Sequence, residues 1–284
     1  MKHNVFLGSG SGSIGDVVSY RREGTQVSRM RVREIKNPRT YSQAEQRNFL
    51  APVSKFYAPL AAALEQSYEG KSTAKSYAAF SSEAVKKARL NGWYLPKGTG
   101  FFPLPYKLSQ GTIAPLPLSI EAVSGRESLE IGILVVGEGS AEITTVGGMV
   151  PSFVAAGYKE GDQLTVITVK RSDDGSYVPS YKRFFLDAED TTTLSEAFGG
   201  SAGTLVPGDE VITVSYPQNT VAAAVIVSRY DNEKWRRSTQ ALLVDEATIA
   251  LVTGDTAKDN AIASYMDGEY VPVSEIYLNG STQQ

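Results

Sequence analysis

Between residues 118 and 252 the chain breaks into short runs rich in Val, Ile, Thr and Tyr, each closed by turn-forming residues, and no other feature restricts the fold as much. The runs fall at 118–124, 128–136, 140–146, 163–171, 181–187, 210–216, 221–230, 235–244 and 247–252, with turn signals such as Asp173-Asp174-Gly175 and Asp231-Asn232 between them. Strands of this length and spacing predict an antiparallel β-sandwich or barrel and not a parallel sheet. A short helix near Ala257–Tyr265 and a strand near Tyr270–Leu278 follow. Gly161-Asp162-Gln163-Leu164-Thr165-Val166 is echoed by Gly208-Asp209-Glu210-Val211-Ile212-Thr213, a Gly-Asp turn entering a strand each time, which reads as repeated turn chemistry.

Upstream the period changes. Ser42, followed three residues later by Glu45, has the form of a capping box and predicts a helix start. Phe49, Leu50, Val53, Phe56, Tyr57, Leu60 and Leu64 then recur at helical spacing, while Pro52 and Pro59 within the pattern predict a kinked helix or two short ones. A second helix is expected over Ser72–Leu90, with Tyr77, Phe80, Ala84 and Ala88 inward and a stop at Asn91-Gly92. Residues 93–117 are punctuated by Pro96, Gly98, Gly100, Pro103, Pro105, Gly111, Pro115 and Pro117 and mark a domain boundary. The expected fold is α+β and mainly β: a basic extended arm or hairpin over 1–40, a helical hairpin over 41–92, a Pro/Gly connector over 93–117, and an antiparallel β-sandwich domain over 118–284.

Within the arm, Gly8–Gly15 is too flexible for an element interior, whereas Asp16–Arg22 and Thr25–Arg33 are β-prone and meet at Glu23-Gly24 as a hairpin. Strand alternation sets Val27, Arg29, Arg31 and Arg33 on one side of the second run and Ser28, Met30 and Val32 on the other. Residues 1–40 carry eight Lys/Arg against three acids, a net of +5; since the whole chain is −3, residues 41–284 carry −8. A basic end on an acidic body points to an acidic partner: nucleic acid, a neighbouring subunit, or another copy of this chain. A solvated hairpin face is the plainer alternative. A lone hairpin is marginally stable and needs a surface to lie on, in its own chain or a neighbour's. Arg21, Arg22, Arg29, Arg31, Arg33, Lys36 and Arg39 are the candidate interface.

Few residues invite catalysis. The chain has no Cys, which removes disulfides, thiolate zinc sites and Cys nucleophiles. The Gly-Ser run lacks the Gly-Lys-Ser/Thr ending of a phosphate loop, and a β-prone run follows it where a helix is needed. His3 is the only histidine, so a triad or an imidazole zinc site would have to recruit a residue near the chain end. Asp187, Glu189 and Asp190, and Asp245 with Glu246, lack a calcium-loop pattern and read as solvated loop acids, although sequence cannot measure the carboxyl separation on which a carboxylate-pair hydrolase depends. Arg229–Arg237 mixes aromatics with bases; it reads as a hairpin tip with Trp235 inward and the arginines solvated, with a protein, nucleic-acid or glycan surface as the alternative. No window approaches the roughly 20 apolar residues of a membrane span, and the first residues lack a secretory core. No catalytic residue, metal or cofactor is expected, and no membrane partner.

The opening pattern Gly8-x-Gly10…Gly15-Asp16-Val17-Val18-Ser19-Tyr20-Arg21-x-x-Gly24-x-x-Val27-x-Arg29, then Lys36-Asn37-Pro38-Arg39-Thr40 and Gln43-x-x-Gln46-Arg47, resembles a family of proteins from Bacteroidetes and their phages. Ser109-x-Gly111, Gly157-Tyr158-x-x-Gly161-Asp162 and Trp235-x-x-Ser238 are similar to later segments of that family. Such proteins resemble virion components of crAss-like and other podovirus-type phages. The resemblance implies a non-enzymatic structural subunit of the virion: a ring or connector of the tail or head–tail junction, assembled in the host cytoplasm with copies of itself and other virion proteins, with DNA nearby only incidentally. A capsid-decorating or fibre-like binding protein, or a carbohydrate-binding or carbohydrate-acting module, are the alternatives.

Overall fold

A computed structural model describes residues 12–22, 25–31, 40–65, 67–123, 126–137, 142–202, 205–206, 208, 211–217, 219–266, 269 and 271–273. The chain divides into two compact units, Met1–Arg39 and Thr40–Gln284.

The first unit is a three-stranded antiparallel sheet of β1 (Gly12–Ile14), β2 (Val17–Arg22) and β3 (Thr25–Met30), in that order. The expected hairpin is β2–β3, but the Gly-Ser run, expected to lie outside any element, contributes β1. Gly12 pairs with Ser19 and Ser13 with Val18, since a ladder asks only for backbone donors and acceptors. Gly15, at φ 56°, makes the left-handed turn that returns the chain into β2.

The second unit opens with α1 (Tyr41–Leu60), a single helix that contains both Pro52 and Pro59, so of the two expected forms the pair of short helices does not hold. Each proline removes a backbone donor, but Phe49, Val53, Phe56, Tyr57 and Leu60 bury on one face and hold the helix to the core. Leu50, expected inward, is 53% exposed. The helix starts before the predicted cap: Thr40 is the N-cap and Ser42 is already helical. α2 (Thr73–Asn91) ends where Gly92 adopts φ 63°, a left-handed cap open to glycine at no steric cost. Ser76, Phe80, Ala84 and Ala88 form its buried face; Tyr77, expected inward, stays partly exposed, its ring edge-on to Tyr57 at 4.8 Å.

The remaining elements are β4 (Lys107–Ser109), β5 (Leu118–Val123), β6 (Arg126–Ile131), α3 (Val146–Ala155), β7 (Gln163–Arg171), β8 (Tyr177–Phe185), α4 (Leu194–Phe198), β9 (Ser201–Ala202), β10 (Ile212–Ser215), β11 (Thr220–Asp231), β12 (Lys234–Arg237), β13 (Gln240–Ala241), β14 (Leu243–Val244), α5 (Glu246–Ala250) and α6 (Asp255–Tyr265). The fold is α+β with more strand than helix, and the sheets are antiparallel. β12-β11-β7-β8 form the central sheet, with β14 also on β11; β5-β6-β10-β9 form a second sheet, and β13 pairs with β4.

The two larger sheets share a core, as in a sandwich: Leu129 and Ile131 of β6, Ile212 and Val214 of β10, Leu164 and Val166 of β7, and Val225 and Val227 of β11 meet there with α3. The opposite face of the central sheet is covered as well. Ile167, Val169, Ala224 and Ile226 pack against Phe56, Leu60 and Phe80 of the helices and against Trp93, Phe102, Leu104, Tyr106 and Leu108. The connector is therefore not a domain boundary. Phe102, Leu104, Tyr106 and Leu108 are all buried in a segment whose Pro103, itself buried, and Pro105 mimic a loop in the sequence, and Tyr106 stands edge-on to Phe56 at 5.0 Å.

One expected strand is a helix, and another is reduced to bridges among its described residues. The run at 140–146 supplies only isolated bridges at Ile143 and Thr145 before α3 begins. Val146, Met149, Val150 and Phe153 follow the i, i+3, i+4, i+7 pattern despite two glycines and Pro151, and Thr145 caps the helix by accepting from Gly148 N at 3.3 Å. Gly147 is required where it stands, because a Cβ there would lie 2.4 Å from the Ala188 carbonyl oxygen. The run at 247–252 becomes α5, nucleated by Asp245, which accepts from Thr248 N at 3.0 Å. The closing strand near Tyr270–Leu278 lies outside the described residues apart from 271–273.

Candidate functional site

The β2–β3 register decides where the arm's charges point. Val18, Tyr20 and Arg22 lie opposite Arg29, Val27 and Thr25 on one face, and Val17, Ser19 and Arg21 lie opposite Met30, Ser28 and Gln26 on the other. Charge thus falls on both faces, with Arg22 and Arg29 on one and Arg21 on the other. Arg29 sits over the Tyr20 ring at 5.9 Å, a cation–π contact that holds the guanidinium beside an aromatic surface. On the opposite face the Ser19 and Ser28 hydroxyls bond at 2.8 Å. Arg31 follows the strand and its backbone N–H donates to the Asp16 carbonyl at 2.5 Å. Arg21, Arg22, Arg29 and Arg31 are all exposed, and none forms a salt bridge with a described residue. Arg33, Lys36 and Arg39 lie outside the described residues.

The loop acids do local structural work. Asp187 accepts from Glu189 N at 3.0 Å and Asp190 from Thr192 N at 2.8 Å, each closing its own turn. Hydrogen bonds from Thr192 hold the Asp190 carboxyl below the usual range, the reverse of what a general acid needs. Asp174 is lowered in the same way by Ser176, whose Oγ donates at 2.6 Å. Asp245 caps α5. Among the described residues no three acids or histidines gather as metal ligands, and no helix is long and apolar enough to cross a membrane. His3 lies outside the described residues.

The segment Arg229–Arg237 departs from its expectation. It is the β11–β12 hairpin, turning at Asn232 and Glu233 with φ 51° and 62°, but its arginines are not uniformly solvated. Arg229 holds the fully buried carboxylate of Asp162 in a bidentate pair, Nε to Oδ1 and Nη2 to Oδ2, both at 2.6 Å. Asp162 also accepts from Lys159 N at 2.9 Å. This pair, which ties the turn before β7 to β11, is legible in the sequence only as a Gly-Asp turn, because its partner stands 67 residues away. Arg237 is 9% exposed, stacks on Trp235 at 4.7 Å, and is pushed down to about 10 by burial and by Arg183. Tyr230, in contrast, is 62% exposed.

No curated protein and no solved structure matches the chain. Residues 9–94, the stretch that carries the arm and the helical hairpin, match a family of unknown function, DUF6266.

Proposed function

We propose that this chain is a non-enzymatic assembly subunit whose basic N-terminal arm docks on the acidic body of a neighbouring copy or on another protein of the same particle. The supporting observation is the arm itself: a separate three-stranded unit with Arg21, Arg22, Arg29 and Arg31 exposed and without salt bridges to described residues. A sheet this small buries too little apolar surface to be stable alone, so its ordering comes from what it lies on. The body's net charge of −8, against +5 for residues 1–40 of a chain totalling −3, supplies the complement. The particle is a phage virion and the position a ring or connector of the tail or head–tail junction; this part of the reading rests on the resemblance of residues 8–50.

Light scattering on the full chain and on a variant lacking residues 1–36 tests the arm. The truncated protein should keep its melting profile and lose higher-order association. Arg22→Glu, Arg29→Glu and Arg31→Glu together should do the same in a salt-dependent way, whereas one reversal should only weaken association, because an exposed ion pair contributes about 0–1 kcal/mol. A truncated protein that still forms the full-size assembly overturns the reading.

A further inference from the structure

Between α2 and the β4–β13 ribbon lies a groove of about 570 Å³ that none of the preceding chemistry uses. Lys86, Lys87, Lys107, Glu83, Leu90 and Gln240 line it. The charges do not balance. Glu83 pairs with Lys107 at 3.3 Å, which leaves Lys86 and Lys87 with no carboxylate partner among the described residues. Lys87 is partly buried, donates to the Pro105 carbonyl at 2.5 Å and lies 6.0 Å from the Trp93 ring centre. Burial and the nearby Lys107 lower its affinity for a proton, as expected of an ammonium held where no anion compensates it. At the groove wall Gln240 is only 8% exposed, and its Oε1 has no hydrogen-bond partner. Leu90 is 87% exposed, an aliphatic side chain set beside two uncompensated cations.

We propose that this groove is a docking site for an acidic segment of a partner polypeptide, one that places an Asp or Glu side chain next to an aliphatic or aromatic one. Two needs meet in that chemistry. A carboxylate neutralises Lys86 and Lys87, and the apolar neighbour covers Leu90. A free phosphate satisfies only the first and leaves Leu90 in water. The site is independent of the basic arm, which would be repelled by these lysines.

The test uses the full chain against an array of labelled hexapeptides, each with one Asp or Glu beside Leu, Ile, Phe or Tyr, read by fluorescence anisotropy. A subset should bind, and replacing the acid by Lys should abolish binding. Lys86→Met and Leu90→Ser, both at exposed positions and so neutral for folding, should each weaken the best peptide several-fold, and Lys86→Met/Lys87→Met by tenfold or more. Removing residues 1–36 should leave peptide binding unchanged, so loss of assembly in that variant bears on the arm alone. Absence of any binding peptide, equal binding to all these variants, or displacement of the peptide by inorganic phosphate at equal concentration would each overturn the proposal, the last by making the groove a small-anion site.

Discussion

β11 and the β2–β3 hairpin are built from the same strand-forming residue types and end in opposite environments. The first nine residues of β11, Thr220–Ser228, are all buried, because the sheet that contains them is covered on one face by the helices and connector and on the other by the second sheet and α3. In β2 and β3 only Ser19 is buried. A strand covered on both sides reads as a continuous apolar run, here Val221-Ala222-Ala223-Ala224-Val225-Ile226-Val227, and each large aliphatic side chain buried there contributes about 1.5–3 kcal/mol. The arm's strands instead alternate small, apolar and charged residues, so their pairing rests on the ladder, the Ser19–Ser28 bond and the Arg29–Tyr20 contact. A strand in this protein is stabilised by what lies on its faces, and the arm supplies little of that itself.

The sharpest test of that contrast is the buried ion pair at the end of the central sheet. Arg229→Ala leaves the fully buried Asp162 carboxylate without the guanidinium that grips it through two bonds of 2.6 Å, and should cost about 3–5 kcal/mol in urea unfolding. Ile226→Ala, in the double-covered strand, should cost about 2–5 kcal/mol. Val27→Ala in the arm should stay within about 0.5 kcal/mol of the parent. A loss at Val27 as large as that at Ile226 would mean that the arm has a packed core of its own, and the comparison would fail.

Ionisation separates the regions next. Burial raises the phenols of Tyr68, Tyr106 and Tyr216 above their usual value, and two of them use the proton they keep: Tyr68 donates to the Lys107 carbonyl and Tyr216 to the Phe198 carbonyl, both at 3.1 Å. Below about pH 10 these phenols are protonated in both folded and unfolded chains, so their contribution is fully present and does not change with pH. Above it the unfolded chain releases protons that the folded one retains, so the folded state binds more and stability falls as pH rises. The melting temperature of the body should therefore drop from about pH 10 upward, with tyrosinate absorbance at a fixed temperature appearing together with unfolding and not before it. Tyrosinate absorbance that rises fully in the still-folded protein would show these phenols to be solvated.

Burial also explains which parts of the fold were legible in sequence. α2 and its Gly92 stop, the β2–β3 hairpin, β7 and β11 follow from local period and turn residues, and the structure places them within a residue or two of expectation, apart from the end of β3. α3 was hidden by Gly147, Gly148 and Pro151, although its buried positions at 146, 149, 150 and 153 already had helical spacing. The connector was hidden by its prolines, which read as a loop although Pro103 is buried together with Phe102, Leu104, Tyr106 and Leu108. In the candidate site, the arm's basic residues could be read directly because charge is a property of single residues. Neither the Asp162–Arg229 pair nor the groove beside α2 could be, since each joins segments far apart in the chain and exists only after the central sheet has formed.

The smallest effect concerns helix starts. Ser42 with Glu45 has the sequence form of a cap, yet Thr40 occupies the cap position of α1 and makes no side-chain hydrogen bond there. At α5 the Asp245 carboxylate does cap, accepting from Thr248 N at 3.0 Å. A five-residue helix has few bonds of its own and depends on such a contact; α1, with 20 residues and eight of them buried, is held by its inner face. Asp245→Ala should therefore cost about 1 kcal/mol, while Thr40→Ala and Ser42→Ala should each cost less than about 0.5 kcal/mol, measured as midpoint shifts in urea at unchanged slope. A loss at Ser42 equal to that at Asp245 would move the start of α1 to the capping box and make its first turn depend on local chemistry, as the arm's strands do, instead of on the core.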